Sequence, residues 1–257
     1  MSILQAIRIV PFYVLLGASA LIWCSLSFFI APFLPFRYRY RWINVYWCRF
    51  ALVLVRVFLN IRVKVTGAEH IPERPCVILS NHQSTWETFF LSAYFQPLSQ
   101  VLKRELLFVP FFGWAMAMLR PIAIDRDNPK AALKQVAAKG DKLLKENVWV
   151  LIFPEGTRVP YGQIGKFSRS GAALAVNANL PVLPIAHNAG KYWPKEGWGK
   201  RAGTIEVVIG EPMWAEGTGP RAIAELNDRA AAWNEKTQRE MGSLPPQQAV
   251  SETQSVA

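Results

Sequence analysis

The chain has 257 residues, enough for one substantial core with an appendage and too few for two full-sized domains. Hydrophobic residues make up 51% and charged ones only 18%, an apolar balance for a soluble protein, so something besides a core must cover the excess. The formal net charge of +11 favours an anionic partner, and the three cysteines, Cys24, Cys48 and Cys76, have neither the pairing nor the spacing of a disulfide frame or a metal site and read as apolar fillers in a reducing compartment.

The charge is concentrated at the front. From Met1 to Arg62 there are seven arginines and no acidic residue, the first acid being Glu69. A basic, aromatic and apolar front end suits the anionic surface of a phospholipid membrane. Nucleic acid could use the charge too, but these arginines lie among Trp, Tyr, Leu and Val with no DNA- or RNA-binding motif. The segment Phe12 to Ala31 avoids both charge and proline and is long enough, at about 30 Å as a helix, to cross one bilayer core. A cleavable signal peptide is the rival, since Ala18-Ser19-Ala20 has the form of a cleavage site; the apolar run continues through Ile30, however, where a mature secreted chain would turn polar. Arg37, Arg39 and Arg41 follow the run against Arg8 alone before it, which by the positive-inside rule leaves the rest of the chain on the cytoplasmic side of an inner membrane. Trp42 to Ile61 is a second apolar stretch, interrupted by Arg49 and Arg56 on one helical face, and reads as a helix lying in the interface. Pro32 and Pro35 could equally bend the first helix back into a hairpin that dips into one leaflet. Residues 1–61 are therefore taken as a membrane anchor.

Residues 62–241 have the pattern of an α/β domain. Short β-branched runs recur at Val63 to Thr66, Val77 to Leu79, Ile122 to Ile124, Val148 to Phe153, Val182 to Ile185 and Ile205 to Ile209. Helix-like stretches lie between several of them, predicting a largely parallel or mixed sheet flanked by helices. Asn128-Pro129 is an N-cap followed by a first-turn proline and opens an amphipathic helix to about Glu146. Another helix spans Pro220 to Met241, and 242–257, rich in Pro, Gln and Ser, reads as a disordered tail.

Four segments carry candidate chemistry. In Asn81-His82-Gln83-Ser84-Thr85-Trp86-Glu87 a histidine precedes a carboxylate by five residues. On a continuous helix that spacing turns the side chains about 140° apart, so they meet only if a loop delivers the histidine and a helix starts between them. Ser84-x-x-Glu87 supplies such a start as a capping box, which is also the bland reading of the stretch. The strand ending at Phe153 runs into Pro154-Glu155-Gly156-Thr157-Arg158, which can form an anion cradle at a strand's C-terminal end or simply a turn with a surface arginine. Lys103-Arg104-Glu105-Leu106, followed by Phe108, Phe111, Phe112 and Trp114, could set a phosphate beside a lipid chain, or belong to ordinary packing. Ile124-Asp125-Arg126 adds an arginine after a predicted strand, and Val182-Leu183-Pro184-Ile185 reads first as a buried strand. The other histidines, His70 and His187, are too scattered to form a metal site with His82, and no HExxH occurs.

In that order along one chain, NHQSTWE, KRELL with AIDR, FPEGTR and LPI resemble the glycerolipid acyltransferase family, and within it the lysophosphatidate acyltransferases, over roughly Gly67 to Pro212. The resemblance implies His82 as the general base that deprotonates the acceptor's hydroxyl, and Glu87 as the carboxylate orienting it. It implies Arg126, Glu155, Gly156, Thr157 and Arg158 as the binding site of the acceptor's glycerol phosphate, with Lys103 as a further phosphate contact and Pro184 on the acyl-donor side. The implied acceptor is lysophosphatidate and the donor an acyl-CoA or acyl-carrier-protein thioester; no cofactor, metal or nucleic acid is implied. Glu87 stands where the family usually carries Asp, Ala123 where Phe is common, Val159 where Ser often follows and Leu183 in a usual Val position; these bear on acceptor and chain preference. One other reading keeps the acyl transfer and changes the acceptor to a different lysolipid; two more keep the membrane and change the activity: a serine hydrolase using Ser80 or Ser84, without a G-x-S-x-G elbow, and a non-catalytic lipid-binding protein.

Overall fold

The computed structural model describes residues 3–125 and 127–245. Arg126 and the tail from residue 246 lie outside them.

The first helix, α1 (Ile3–Ile30), is longer than the proline-free segment predicts, because it runs through Pro11 rather than starting after it. A proline there removes one amide donor, and the flanking turns keep theirs. After a single tight turn at Ala31–Phe33 the chain is extended at Leu34 and Pro35, then returns as α2 (Phe36–Tyr40), a wide π-helical stretch at Arg41–Tyr46, and α3 (Trp47–Leu59). The return packs on α1. Trp23 and Trp42 stack at 4.7 Å between ring centroids, and the Trp23 indole N–H donates to the Trp42 carbonyl at 2.9 Å. Arg49 and Arg56 both stay exposed on α3, as their two-turn spacing requires. Asn60, with φ +50°, ends the helix in the left-handed conformation that asparagine tolerates. Two stretches, Ile7–Phe33 and Phe36–Leu59, are long and apolar enough to cross a membrane. Most of the first faces outward, with Ile7, Val14, Ile22 and Phe29 exposed.

The strands are β1 (Ile61–Thr66), β2 (Val77–Ser80), β3 (Leu98–Lys103), β4 (Ile122–Ile124), β5 (Trp149–Ile152), β6 (Val182–His187) and β7 (Gly203–Ile209). They form one seven-stranded sheet in the order β1-β7-β6-β2-β5-β3-β4. Strands β6, β2, β5, β3 and β4 are parallel neighbours, whereas β7 runs antiparallel to β6 with β1 parallel beside it. The expected mixed, mainly parallel α/β sheet is the one observed. Every residue of β2, β5 and β6 is buried, which accounts for their continuous apolar runs: a parallel strand at the centre of such a sheet is covered on both faces. Toward the edge, β7 instead alternates buried and part-exposed positions.

The remaining helices are α4 (Trp86–Tyr94), α5 (Phe112–Ala117), α6 (Pro129–Lys145), α7 (Ser170–Ala178), α8 (Ala189–Tyr192) and α9 (Gly219–Glu240). Helices α6, α7 and α9 pack together and against β5, β2 and β6, while α4 packs on α3. The Asn128 side chain accepts from the Ala131 amide as an N-cap, in line with the Asn-Pro signal. Strand β3 was not among the expected runs; Leu-Ser-Gln-Val-Leu-Lys has a single β-branched residue, and its pairing with β4 and β5 decides its state. Ser243 and Leu244, assigned by composition to a disordered tail, are buried.

Candidate active site

Five consecutive parallel strands bring the motif loops to one edge of the sheet, because parallel strands end on the same side. His82 lies just beyond the C-terminal end of β2, the FPEGTR loop leaves β5, Lys103 closes β3, Asp125 follows β4 and His187 closes β6.

Helix α4 starts at Trp86, so Glu87 lies in its first turn while His82 remains in the loop. The two side chains meet: His82 Nδ1 is 2.8 Å from Glu87 Oε1. The same oxygen accepts from the Gln83 amide at 2.8 Å and the Ser84 amide at 2.6 Å. The carboxylate half of the Ser84-x-x-Glu87 box thus forms, while the Ser84 hydroxyl accepts from Trp86 rather than from Glu87's own amide. Capping and histidine contact share Oε1, and Oε2 is buried without a partner among the described residues. Glu87 is fully buried. Burial alone would raise its carboxyl, but His187, the hydrogen bond and charge of His82, and the Ser84 amide outweigh it and hold it below the ordinary carboxylate value. An ionised Glu87 that receives backbone donors on Oε1 must also accept from Nδ1–H of His82, which leaves Nε2 as the basic nitrogen. The imidazole stacks on Phe153, with centroids 4.1 Å apart and planes inclined by 16°, and keeps 17% of its side chain exposed.

The FPEGTR loop folds back over this segment. The Val159 amide donates to the His82 carbonyl at 2.7 Å, the His82 amide donates to Glu155 Oε1 at 3.1 Å, and Arg158 Nη1 donates to Thr85 Oγ1 at 3.1 Å. Gly156, at φ +70°, provides the left-handed turn that lets the loop reverse. Glu155, one of the phosphate contacts implied by the resemblance, faces an amide of the histidine loop through Oε1. Burial pushes its carboxyl up to about 7, the backbone amides only partly opposing it and Glu87 adding to it. Arg158, by contrast, has no carboxylate within 4.0 Å among the described residues, so its guanidinium keeps donors to offer. Thr157 lies exposed on the same turn. Lys103 is 48% exposed and stands 3.8 Å from Glu105, at the same sheet edge.

Three supporting interactions were not signalled by the motifs. The Asn81 side chain and the His187 backbone exchange a pair of hydrogen bonds, both 3.0 Å. The His187 ring bridges the Asn81 carbonyl at 2.7 Å and the Ala189 amide at 3.3 Å; an amide donor on Nδ1 fixes Nε2 as the protonated nitrogen of a neutral ring. Burial accordingly lowers the His187 pKa, against the pull of Glu87. Third, Gln83 accepts from the Gly190 amide at 3.1 Å and donates to Gln238 of α9 at 2.9 Å. On the other side of α4 lies an apolar cavity of about 230 Å³, bounded by Trp23, Cys24, Trp47, Phe89, Leu102 and Met116.

The hydrogen-bonded His82 and Glu87 and the apolar cavity are features an acyl-transfer site can use, and comparison with known proteins agrees. The Acyltransferase family matches residues 62–188. A 1-acyl-sn-glycerol-3-phosphate acyltransferase from Pseudomonas aeruginosa is 69% identical over 98% of this chain and 97% of its own length. The human 1-acyl-sn-glycerol-3-phosphate acyltransferase alpha is 32% identical over 70% of this chain and 65% of its own. In three dimensions the crystal structure of the 1-acyl-sn-glycerophosphate acyltransferase of Thermotoga maritima superposes with a TM-score of 0.76 over 93% of this chain and 96% of that one, at 23% identity, a likeness of fold. This chain belongs to the Acyltransferase family.

Proposed function

We propose that the protein transfers a fatty acyl group from an acyl thioester to the free sn-2 hydroxyl of 1-acyl-glycerol-3-phosphate, forming phosphatidic acid. The observation that carries this reading is the 2.8 Å contact between His82 Nδ1 and the buried Glu87, in a chain 69% identical to a bacterial enzyme of that name. His82 Nε2 takes the hydroxyl proton as the acceptor oxygen attacks the thioester carbonyl. The C–O bond forms, the C–S bond breaks, and the proton passes from the imidazolium to the departing thiolate. Glu87 stabilises the imidazolium in between, and burial strengthens that attraction. Arg158, with the Thr157 amide, offers donors to the acceptor's phosphate, while the Gly156 amide is held by the Phe153 carbonyl at 3.0 Å and shapes the turn; the apolar cavity beside α4 is suited to an acyl chain.

The donor is an acyl-CoA or acyl-carrier-protein thioester, and the working surface is the inner membrane, with the catalytic domain on the cytoplasmic side. What supports the location is the pair of apolar helices and the excess of arginine after the first of them. The serine-hydrolase reading is disfavoured by the site: Ser84 is fully buried with its oxygen taken by the Trp86 amide, and buried Ser80 donates to the Asn81 carbonyl.

The test is transfer of a labelled acyl thioester to a panel of lysolipids in membranes. Lysophosphatidate should be the preferred acceptor, and His82→Ala should lower turnover by roughly 10² to 10⁴ while remaining in the membrane fraction. Undiminished turnover in that variant would sink the mechanism.

A further inference from the structure

The main chain of His82 is held at both ends, its amide by Glu155 Oε1 and its carbonyl by the Val159 amide. Nδ1 is held by Glu87. These bonds fix the backbone and one corner of the imidazole, but they leave the ring able to swing about the line that joins the two. The lone pair of Nε2 lies in the ring plane, so such a swing turns it away from the hydroxyl whose proton it must take. A further contact has to set the plane.

Phe153 supplies that contact. Its ring lies face to face with the imidazole, with centroids 4.1 Å apart and planes inclined by 16°. Phe153 directly follows the fully buried strand β5 and packs against the core, and its carbonyl accepts from the Gly156 amide at 3.0 Å. The ring is therefore anchored at both its strand and its turn. A flat apolar surface against one face of the imidazole opposes rotation out of the stacked plane, while the imidazole keeps an exposed part. The stack also has an electrostatic sense. The face of a phenyl ring is negative and attracts an imidazolium more strongly than a neutral imidazole. His82 becomes an imidazolium only as it takes the acceptor's proton, so this attraction grows along the reaction, which is the condition for lowering a barrier.

We propose that Phe153 is a positioning residue for acyl transfer, a platform that fixes the plane of the His82 imidazole and favours its protonated form. It acts through His82, and the assignment rests on His82 being the base. The FPEGTR loop then holds the histidine at three places: Phe153 at the ring, Glu155 at the amide and Val159 at the carbonyl. The apolar first residue of that motif thus has a task of its own, distinct from the acceptor contacts of Arg158.

The test compares Phe153→Leu, which stays apolar and loses the π face, with Phe153→Tyr, which keeps it. In the full-length protein Phe153→Leu should lower kcat about tenfold to a hundredfold, as misplacement of a reacting group does, with the KM for lysophosphatidate and for the thioester nearly unchanged. Phe153→Tyr should recover most of the lost kcat. The chain has three histidines, so NMR spectra of protein labelled only at histidine, in detergent, resolve the His82 ring once His82→Ala has assigned it. Its ring protons should lie upfield of the ordinary range in wild type and in Phe153→Tyr, and return toward it in Phe153→Leu, a ring-current effect that loosened packing elsewhere does not produce. Should Phe153→Leu not fold, Phe153→Met and the wild-type spectrum carry the test. Unshifted His82 ring protons in wild type, an unchanged kcat in the Leu or Met variant, or a loss confined to KM overturns the proposal. Failure of the base assignment shows separately, as turnover retained in His82→Ala.

Discussion

The backbone amide of His82 points at Glu155 Oε1, 3.1 Å away, so the histidine is held by a carboxyl group from a loop seventy-three positions downstream. The reverse bond, from the Val159 amide to the His82 carbonyl, closes the pair. The two motif loops are therefore joined by two hydrogen bonds, in which the glutamate of FPEGTR accepts from the histidine's amide while Arg158 has no carboxylate within 4.0 Å among the described residues.

That arrangement makes stability pH-dependent. The Glu155 carboxyl is raised from 4.5 to about 7 in the fold, so the native state holds the proton more tightly than the unfolded chain. Its contribution is fully present below pH 4.5 and is lost as pH rises through about 7, a loss of about 3 kcal/mol at most. Glu155→Gln removes the titration. Thermal unfolding of both proteins in detergent at pH 5 and pH 8 should show the wild type losing ground to the variant at the higher pH; a gap that does not change with pH counts against this.

Glu87 should behave in the opposite sense, because its carboxyl is held low. Glu87→Gln keeps an oxygen for the Gln83 and Ser84 amides and loses the charge that steadies the imidazolium. The expected result is a fold retained by circular dichroism with kcat lowered roughly 10²-fold or more. Glu87→Asp keeps the charge on a shorter arm that must still reach three donors, and its kcat should fall between those of wild type and Glu87→Gln. Full activity in Glu87→Gln would remove the carboxylate from the mechanism.

Arg158→Ala should act on the acceptor. Its guanidinium touches Thr85 and no acid within 4.0 Å among the described residues, so loss of a charge-assisted bond to phosphate should raise the KM for lysophosphatidate about tenfold or more. Thr85→Val, which removes only the internal partner, should have a smaller effect. A change confined to the KM of the thioester would refute the assignment.

The parallel core was legible because β2, β5 and β6 are covered on both faces, and burial of that kind forces unbroken apolar runs. His82 and Glu87 were legible as a pair only through FPEGTR, since local spacing fits a capping box equally well, and the structure shows both at once on a single oxygen. Two features were out of reach. Strand β3 has little β-branching and is created by its neighbours, and the bond from the His82 amide to Glu155 joins residues seventy-three positions apart. Gln238, Asn234 and His187 support the loop from distant positions where nothing in their local sequence marks them.

The last of these supports makes a sharp prediction. Gly190 N–H donates to Gln83, Gln83 donates to Gln238, Gln238 donates to Asn234 at 2.7 Å, and Asn234 donates to the Ile185 carbonyl at 2.9 Å. A backbone donor at one end and a backbone acceptor at the other fix the orientation of every amide between, since flipping any one sets like against like. Gln238→Glu is close to isosteric, yet it faces the Asn234 oxygen with another acceptor, and Asn234 cannot turn without turning its oxygen on Ile185. The variant should be destabilised by about 1–3 kcal/mol, the range for a buried polar group left unmatched. Because Gln83 also donates its amide to Glu87, kcat should fall with little change in either KM. Gln238→Met, which removes both polar groups and leaves no opposed pair, should unfold at a higher temperature than Gln238→Glu. If the two variants melt together, the chain's polarity is not what holds the loop.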